Sequence, residues 1–327
     1  MKFLLIYLFI FSTFCIAEDF NKLKSVEEFK NHMYKTHNYN KKELSNLFSD
    51  VEIQKDSLWF YTKKKKSDYK TYYWNDYSKG FLTQKKIQAG VDFLKEHNYY
   101  LYLAYKEYKI PSEYIVAIIG IESNYGGFMG KHPTFDTLST LAFKDNRRNK
   151  FFKKELEEYL LMTKKEKVNP REIKGSFAGA IGYCQFMPSN FKKVAVDLDK
   201  NRQVRLDRPV DAIGSIANYL RISGWERGLP VAVKVKYDGG ERFDKYKTGY
   251  TTSYNRNDLI GIQPEERFYY DKNVSLIKLK RKENDELWYG TKNFKVITTY
   301  NRSAYYAMAV HQLASKIKEE YLKEKNN

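Results

Sequence analysis

The sequence predicts a mainly α-helical protein of the α+β class, in which a small β subdomain is inserted into a helical core. Apolar residues recur at helical spacing through most of residues 25–223. After Trp225 the spacing changes to strict alternation in VAVKVKY (231–237) and SLIKLKR (275–281), which is typical of strands. Helical spacing returns in residues 303–323. The change of period and its reversal together predict the insertion.

The first seventeen residues have the features of a secretory signal peptide. One lysine precedes an apolar run at residues 3–14, and the small Ala17 stands before acidic residues. The run is too short for a good membrane span, so we expect removal after Ala17 and an exported protein. A rival interpretation makes Cys15 a lipidated residue, although the bulky Phe14 before it fits a lipoprotein signal poorly.

Composition favours an acidic polymer as the partner. The chain has a formal charge of +18 with 17% aromatic residues, which suits nucleic acid, anionic lipid or an acidic polymer. Export argues against nucleic acid, and we find no nucleic-acid motif, so a cell-wall or surface polymer is favoured. Removal of the signal would leave Cys184 as the only cysteine, and the mature chain would have no internal disulfide.

The N-terminal half predicts a series of helices. Residues 25–48 form one or two short amphipathic helices broken near 38–40, and the lysine run at 63–66 predicts an exposed loop. Thr83 is a plausible N-cap for helical periodicity that continues to residue 108. Further helices are expected at residues 134–143 and 147–162.

The helix in IPSEYIVAIIGIESNYGGFMG (110–130) is the one around which the chain is organised. Its isoleucines leave almost no polar face, so it predicts a core helix that ends at Asn124 and the glycines after it. Glu122 therefore projects from an apolar stripe at the helix C-terminus, where desolvation and the helix dipole both raise a carboxyl pKa. A protonated carboxyl at neutral pH suits a general acid. The alternative from these residues alone is a capping or ion-paired glutamate.

Two further segments carry candidate binding groups. The segment KGSFAGAIGYCQFMPS (174–189) is rich in small residues that permit close backbone approach, either to a ligand or merely between helices. In DLDKNRQVRLDRPVD (197–211), acidic and amide groups alternate as at the start of an EF-hand-type calcium loop. Arg202 stands where that loop usually has glycine, and Arg208 where it has glutamate, so Asp211 must close the shell. An ordinary solvated acidic turn is the other interpretation.

The remaining segments complete the predicted elements. Residues 211–223 predict another helix, which ends at Gly224. LWYG (287–290) and FKVITTY (294–300) alternate like strands and extend the β insertion to Tyr300. The final helix at 303–323 presents an apolar face for docking on the core.

Taken together, these blocks resemble the bacterial membrane-bound lytic murein transglycosylase B family. The resemblance rests on IPSEYIVAIIGIESNYG, KGSFAGAIGYCQFMPS, the acidic loop with RPVDAIGSIANYL, and ITTYNRSAYYAMAVHQL, in the family's order. It implies a lysozyme-like helical core with an accessory β domain. It also implies a periplasmic enzyme that cleaves the MurNAc–GlcNAc β-1,4 bond of peptidoglycan and leaves a 1,6-anhydro product.

The resemblance also assigns individual residues. Glu122 matches the single catalytic acid and base. Substrate-binding positions fall on Tyr77, Arg147, Arg148, Ser176, Gln185, Tyr219, Tyr300, Asn301 and Tyr306. Calcium-binding positions fall on Asp197, Asp199, Asn201, Gln203 and Asp211. The chain departs from the family at Asn124, Tyr125 and Cys184, and Arg202 argues for weak calcium binding.

The implied mechanism needs one carboxyl, whereas ordinary glycoside hydrolases use two. Glu122 would protonate the glycosidic oxygen and then remove a proton from the C6 hydroxyl, with the substrate's N-acetyl group stabilising the cationic sugar; no cofactor takes part. Asp136 is expected to be structural. The alternatives are a hydrolytic muramidase and a non-catalytic, calcium-stabilised module that binds peptidoglycan.

We expect five segments along the chain. A signal peptide at 1–17 is followed by a helical linker segment at 18–76, the catalytic core at 77–228, the β-rich insertion at 229–299 and the C-terminal helix at 300–327. We expect a monomer that acts on peptidoglycan strands, with no nucleic-acid partner, and an outer-membrane association if Cys15 carries lipid.

Overall fold

The computed structural model describes residues 17–62, 73–237 and 243–326. The predicted signal peptide up to residue 16, including Cys15, and the lysine run at 63–66 lie outside these residues. Within the described ranges, no helix is both long and apolar enough to cross a membrane.

The described residues form thirteen α-helices and eight strands. The helices are α1 (Lys24–His37), α2 (Lys41–Phe48), α3 (Lys55–Thr62), α4 (Trp74–Ser78), α5 (Gln84–Glu96), α6 (Asn98–Tyr108), α7 (Ser112–Ser123), α8 (Thr134–Phe143), α9 (Asn149–Glu166), α10 (Pro188–Val194), α11 (Pro209–Ile222), α12 (Lys292–Tyr300) and α13 (Ala304–Asn326). The strands are β1 (Ala17–Glu18), β2 (Val51–Glu52), β3 (His132–Pro133), β4 (Lys174–Gly175), β5 (Ala232–Tyr237), β6 (Ile262–Pro264), β7 (Ser275–Leu279) and β8 (Glu286–Gly290). The predicted mainly helical class is confirmed.

Residue contacts divide the chain into two compact units. The first contains the described residues up to 62 with residues 132–173 and 177–179. The second contains the described residues from 73 to 131 with 174–176 and 180–326. The domain limits expected from the sequence stay a prediction.

The first unit is built around α8, which is buried along almost its whole length. It packs against α9, α3 and β2. Phe48 at the end of α2 contacts the rings of Phe29, Phe135 and Phe143 at centroid distances of 6.1, 5.3 and 5.8 Å. The predicted break between the first two helices is confirmed, because Asn38 adopts the left-handed conformation that ends α1.

The second unit is built around α7. Six consecutive residues from Ile115 to Gly120 are buried, and the helix packs against α5, α6, α11 and α13. A helix with no polar face needs neighbours on all sides, which these four supply. Thr83 is the N-cap of α5 as predicted, because its side chain accepts a hydrogen bond from the Lys86 N–H at 3.2 Å. His97 divides the long predicted helix into α5 and α6.

The second unit also carries a four-stranded antiparallel sheet in the order β6–β5–β8–β7. Val233 pairs with Tyr289, and Ile277 pairs with Trp288. One face of the sheet buries an apolar cluster that includes Val235, Leu276 and Leu287. The predicted β insertion is therefore present.

The predicted strand that reaches Tyr300 is wrong, because FKVITTY forms α12. The side chain of Thr291 caps this helix by accepting a hydrogen bond from the Asn293 N–H at 3.1 Å. Phe294 and Ile297, three residues apart, are buried as α12 packs on α13. Packing of this face outweighs the strand preference of its β-branched residues.

Candidate functional site

The candidate active site begins where α7 ends. Glu122 lies in the last turn, and the chain then turns sharply through Asn124, Tyr125 and Gly126, with φ angles of 51°, 59° and 88°. Three consecutive left-handed residues are unusual, since side chains other than Asn and Gly disfavour this region. Tyr125 is held there by its hydroxyl, which donates to the Lys86 carbonyl at 2.9 Å. The turn therefore ends the helix directly after the acid.

Glu122 is set deep in the protein yet keeps part of its surface open to solvent. Burial raises the pKa of its carboxyl to about 7, while a hydrogen bond from Tyr306 acts in the opposite direction. The Tyr306 hydroxyl donates to Glu122 Oε1 at 2.5 Å. Among the described residues, no second carboxylate contributes to this pKa shift. No N–H or O–H group of these residues donates a hydrogen bond to Glu122 Oε2. One oxygen is thus positioned and the other is available to a substrate.

Tyrosines from four helices surround this acid. The Tyr300 and Tyr306 rings stack at 6.3 Å, and Tyr219 lies 4.8 Å from Tyr300 between ring centroids. The Tyr300 hydroxyl donates to the Cys184 carbonyl at 2.6 Å, and the Tyr219 hydroxyl donates to the Thr299 carbonyl at 2.7 Å. Each hydrogen bond fixes the direction in which its tyrosine ring points.

Tyr77 on α4 also belongs to this group. Burial raises the pKa of its hydroxyl, and the Glu122 charge raises it further. Tyr77 therefore lies within electrostatic range of the acid. Its ring contacts Trp74 and Tyr305 at 5.9 and 5.5 Å between centroids.

The small-residue segment approaches the loop after α7 through its backbone. Gly130 has a φ of 100°, and a Cβ there would lie 2.0 Å from the Gly175 carbonyl, so only glycine fits. The Ser176 hydroxyl accepts from the Ala180 N–H at 3.0 Å. Gln185 Nε2 donates to the Met129 carbonyl at 3.1 Å and to the Gly182 carbonyl at 2.9 Å.

Gln185 has the features of a ligand-binding amide. It adopts a left-handed φ of 48°, and its Oε1 accepts no hydrogen bond within the part of the chain that the structure describes. It follows Cys184, whose thiol is buried and whose pKa is raised by burial and by the nearby Glu122 charge. The composition of this segment left packing and binding equally open, and the structure brings its centre close to the acid.

The predicted binding residues Asn301, Arg147 and Arg148 lie at exposed positions. Asn301 is exposed just after α12. Arg147 and Arg148 are exposed and belong to the other compact unit. There the guanidinium of Arg148 lies 4.0 Å from the centroid of the Phe151 ring, and both arginines lower the pKa of Tyr61 against the effect of burial. Their role in glycan binding stays a prediction.

Two residues near the acid were missed in the sequence. Lys86 Nζ donates to the Gly120 carbonyl at 2.7 Å, so a cation stabilises the last turn of α7. Burial lowers the pKa of this lysine. Phe186 lies 5.7 Å from Tyr219 and 5.6 Å from Tyr300 between ring centroids. A lysine on α5 gives no local signal in the sequence of α7, but Phe186 directly follows Gln185 and could have been found.

Asp136 belongs to the first unit and is held in a structural ion pair. Arg171 Nη1 lies 3.0 Å from its Oδ1, and the same guanidinium reaches Asp50. Burial raises the pKa of Asp136 to about 6, and the Arg171 charge opposes the rise. This contact agrees with the structural role expected for it.

The acidic loop brings three of the five predicted calcium ligands together. Oxygen atoms of Asp197, Asp199 and Asp211 lie within 4.8 Å of one another. Asp211 sits at the start of α11 and accepts from the Leu198 N–H at 3.1 Å and the Arg205 N–H at 2.7 Å, which fixes the loop to the helix. Burial raises the pKa of Asp211, and the charges of Asp199 and Asp197 raise it further.

The loop also adopts the required turn. Arg202 has a φ of 72°, the left-handed conformation for which this loop usually uses glycine. Its N–H donates to Asp197 Oδ2 at 2.7 Å, and the Asn201 N–H donates to Asp197 Oδ1 at 3.0 Å. Convergent carboxylate oxygens of this kind fit a hard divalent cation such as calcium.

The geometry around Glu122 defines a class of protein: an enzyme that works through a single carboxyl held near neutral pKa on a buried helix. The chain belongs to the transglycosylase SLT domain family, whose model matches residues 21–315. The resemblance found in the sequence is therefore confirmed.

Comparison with individual proteins agrees with this. The chain is 41% identical over 244 residues to the membrane-bound lytic murein transglycosylase B of Escherichia coli, covering 75% of this chain and 67% of that protein. It is similar to the solved structure of the Escherichia coli lytic transglycosylase SLT35 in complex with calcium, with 35% identity, a TM-score of 0.86, and coverage of 94% and 96% of the two chains.

A third similar structure is Pseudomonas aeruginosa SltB3 in complex with NAG-NAM-pentapeptide. It shares 26% identity, with a TM-score of 0.77 and coverage of 90% of this chain and 80% of that one. These neighbours are lysozyme-like lytic transglycosylases, so the predicted lysozyme-like fold is confirmed.

Proposed function

We propose that this protein is a lytic transglycosylase that cleaves the MurNAc–GlcNAc β-1,4 bond of peptidoglycan without water and leaves 1,6-anhydro-MurNAc ends. The observation that carries the proposal is Glu122, a carboxyl whose pKa burial raises to about 7 and whose Oε1 is held by Tyr306. At neutral pH such a group is divided between its two protonation states. It can therefore serve as an acid and then as a base.

In the first step, protonated Glu122 donates its proton to the glycosidic oxygen as the bond to C1 breaks. The substrate's own N-acetyl oxygen stabilises the positive charge that develops on the sugar. In the second step, the Glu122 carboxylate removes the proton from the C6 hydroxyl, and O6 forms the new bond to C1. Glu122 ends in its starting protonation state, and the overall reaction consumes no water and no cofactor.

The surrounding groups would bind and orient the sugar. We assign Gln185 Oε1 and the Ser176 hydroxyl to polar contacts with the sugar, and Tyr77, Tyr219 and Tyr300 to apolar contacts through their ring faces. We assign Asn301, Arg147 and Arg148 to other parts of the substrate. Guanidinium groups suit the carboxylates of the lactyl group and stem peptide.

We further propose a structural calcium ion. Asp197, Asp199, Asn201, the Gln203 carbonyl and Asp211 would hold it, and its charge would offset the gathered carboxylates. The ion would stabilise the attachment of the loop to α11 and take no part in bond cleavage. Because the relative from Escherichia coli is named membrane-bound, and because the sequence predicts a signal peptide, we place the protein in the bacterial periplasm.

Digestion of purified peptidoglycan in water labelled with a heavy oxygen isotope tests the function. Mass spectrometry should find anhydro-muropeptides without the label. A hydrolytic muramidase would release labelled reducing muropeptides, and a binding module would release nothing; either result would overturn the proposal.

Substitution of the acid is the matched test of mechanism. Glu122→Gln keeps the size of the side chain but cannot donate the proton, so it should lower the rate of release by about a hundredfold to several thousandfold. Binding of the variant to insoluble peptidoglycan should stay near the wild-type level. Loss of a general acid lowers the rate by at least about a hundredfold, so a variant that keeps more than about a tenth of the wild-type activity would show that Glu122 is not the general acid.

A further inference from the structure

A second cluster of candidate ligands lies in the first compact unit, among residues that the glycan chemistry does not use. His32 and His37 come from α1, and Glu157 comes from α9. Their nitrogen and oxygen atoms lie within 4.8 Å of one another. Glu157 Oε1 is 3.1 Å from His32 Nε2 and 2.7 Å from His37 Nε2, and the two imidazole rings meet edge to face at 5.6 Å.

The backbone around this cluster is held in place by other contacts. The Tyr39 hydroxyl donates to the Leu160 carbonyl at 2.5 Å, and Lys164 Nζ donates to the Asn38 carbonyl at 3.2 Å. Leu160 and Lys164 are three and seven residues after Glu157, so they lie on the same face of α9. The end of α1 is therefore fixed against the face of α9 that carries the carboxylate. A preformed arrangement of this kind reduces the cost of binding a ligand.

The surroundings of the cluster leave room for a further ligand. His32 and Glu157 line a surface cavity of about 410 Å³. Its lysines, Lys150, Lys153 and Lys154, are matched in number by three glutamates, Glu28, Glu157 and Glu158. On the other side of His32, its Nδ1 lies 3.3 Å from the Thr36 hydroxyl, which can orient the ring.

We propose that His32, His37 and Glu157 bind a zinc ion, with water as the fourth ligand. Two imidazole nitrogens and one carboxylate are a recurrent zinc donor set, whereas calcium prefers oxygen alone. Bond lengths of about 2.0–2.2 Å in a tetrahedron place ligand atoms roughly 3.3 Å apart. The two observed nitrogen–oxygen separations, 2.7 and 3.1 Å, are shorter than this spacing by about 0.6 and 0.2 Å, and the ligand nitrogens of the two histidines lie within 4.8 Å of each other. The ion would join α1 to α9 and stabilise the first unit.

Calorimetric titration of the metal-free, full-length exported chain with zinc chloride tests this directly. We expect one ion per chain with a Kd in the micromolar range or below. Zinc at a hundred times Kd should raise the unfolding temperature by several degrees. Cobalt should give the visible absorption of a tetrahedral site.

Substitutions locate the ion. Loss of a second-shell partner alone weakens metal sites by about 10–100-fold, so His37→Gln and Glu157→Gln should each weaken zinc binding by at least about a hundredfold. Glu158→Gln makes the same charge change one residue away and should leave binding unchanged. Asp197→Ala, which removes an oxygen ligand from the acidic loop, should also leave zinc binding unchanged.

Two results would overturn the proposal. One is the absence of stoichiometric zinc binding by the wild-type chain, and the other is an unchanged isotherm in the His37 and Glu157 variants. If one variant fails to fold, the other variant decides; a tetrahedral cobalt spectrum of the wild type supports the site independently, and its absence contradicts the proposed tetrahedral geometry. None of these outcomes depends on cleavage of peptidoglycan.

Discussion

At the scale of single residues, the chemistry depends on a conflict between one carboxyl and its surroundings. Glu122 ends a helix with no polar face, so desolvation disfavours its charged form, while the Tyr306 hydroxyl favours it. The first effect is readable in the sequence, because the isoleucines and the acid are neighbours in the chain. The second is not, since Tyr306 lies 184 residues away.

Replacement of Tyr306 by phenylalanine should change the pH dependence of cleavage. The hydrogen bond lowers the pKa of Glu122, so its loss raises that pKa further above about 7. Protonated Glu122 starts the reaction, and the alkaline limb of kcat/KM reports its deprotonation. Tyr306→Phe should therefore move that limb to higher pH and lower the maximal rate by about ten- to a hundredfold. If the alkaline limb does not move, Tyr306 does not influence the pKa of Glu122. Tyr305→Phe, which removes the hydroxyl of the neighbouring tyrosine, is the control.

The same carboxyl should make the fold less stable as pH rises. Its pKa is 4.5 when unfolded and about 7 when folded, so the native state binds more protons between these values. Stability from this group is complete below pH 4.5 and decreases through pH 7, by about 3 kcal/mol in total. Glu122→Gln removes this pH-dependent contribution to stability. The unfolding temperature of the variant minus that of the wild type should therefore increase between pH 4.5 and pH 8. A constant difference across that range would contradict the raised pKa.

At the scale of elements, local signals predicted helices well when their caps and apolar faces lay within the segment. Thr83 and Asn38 are examples, since each defines a helix end by its own chemistry. The strand predicted for the segment ending at Tyr300 was wrong because β-branched residues favour strands locally, whereas the packing of this segment on α13, the next helix, is not visible within the segment itself. The histidine–glutamate cluster was missed for the same reason, as Glu157 lies 120 residues from His37.

Calcium binding by the acidic loop should stabilise the folded chain. If calcium is bound only by the folded chain, it stabilises that chain by RT ln(1 + [L]/Kd). Millimolar calcium should therefore raise the unfolding temperature relative to EDTA, and Asp197→Ala should remove this rise while retaining the cleavage step. Arg202 brings a positive charge to the loop, so we expect weak binding. Equal unfolding temperatures in calcium and EDTA would show that the loop is an ordinary acidic turn. Calcium is titrated into the wild type with zinc already present, so that the change measured comes from the acidic loop and not from the histidine–glutamate site.

At the scale of the whole molecule, the positive charge and the predicted export both favour peptidoglycan as the substrate. A formal charge of +18 favours association with a polyanion, and peptidoglycan stem peptides and lactyl groups carry carboxylates. The resemblance that spans the chain predicted both fold and activity, because four separate blocks stand in the family's order. The assignment of Arg147, Arg148 and Asn301 to substrate binding rests on that resemblance.

The last prediction concerns the N-terminus of the exported protein. Glu18 pairs with Val51 in a short antiparallel ladder, and its carboxylate lies 2.6 Å from Lys144 Nζ. Phe20, two residues later, is fully buried. Cleavage after Ala17 would retain all three contacts and leave the first unit intact. N-terminal sequencing and intact mass of the exported protein should therefore show a chain that begins at Glu18 and carries no fatty acid. A chain that begins at a diacylglyceryl-modified Cys15 would contradict this and would show that the enzyme is anchored to the membrane.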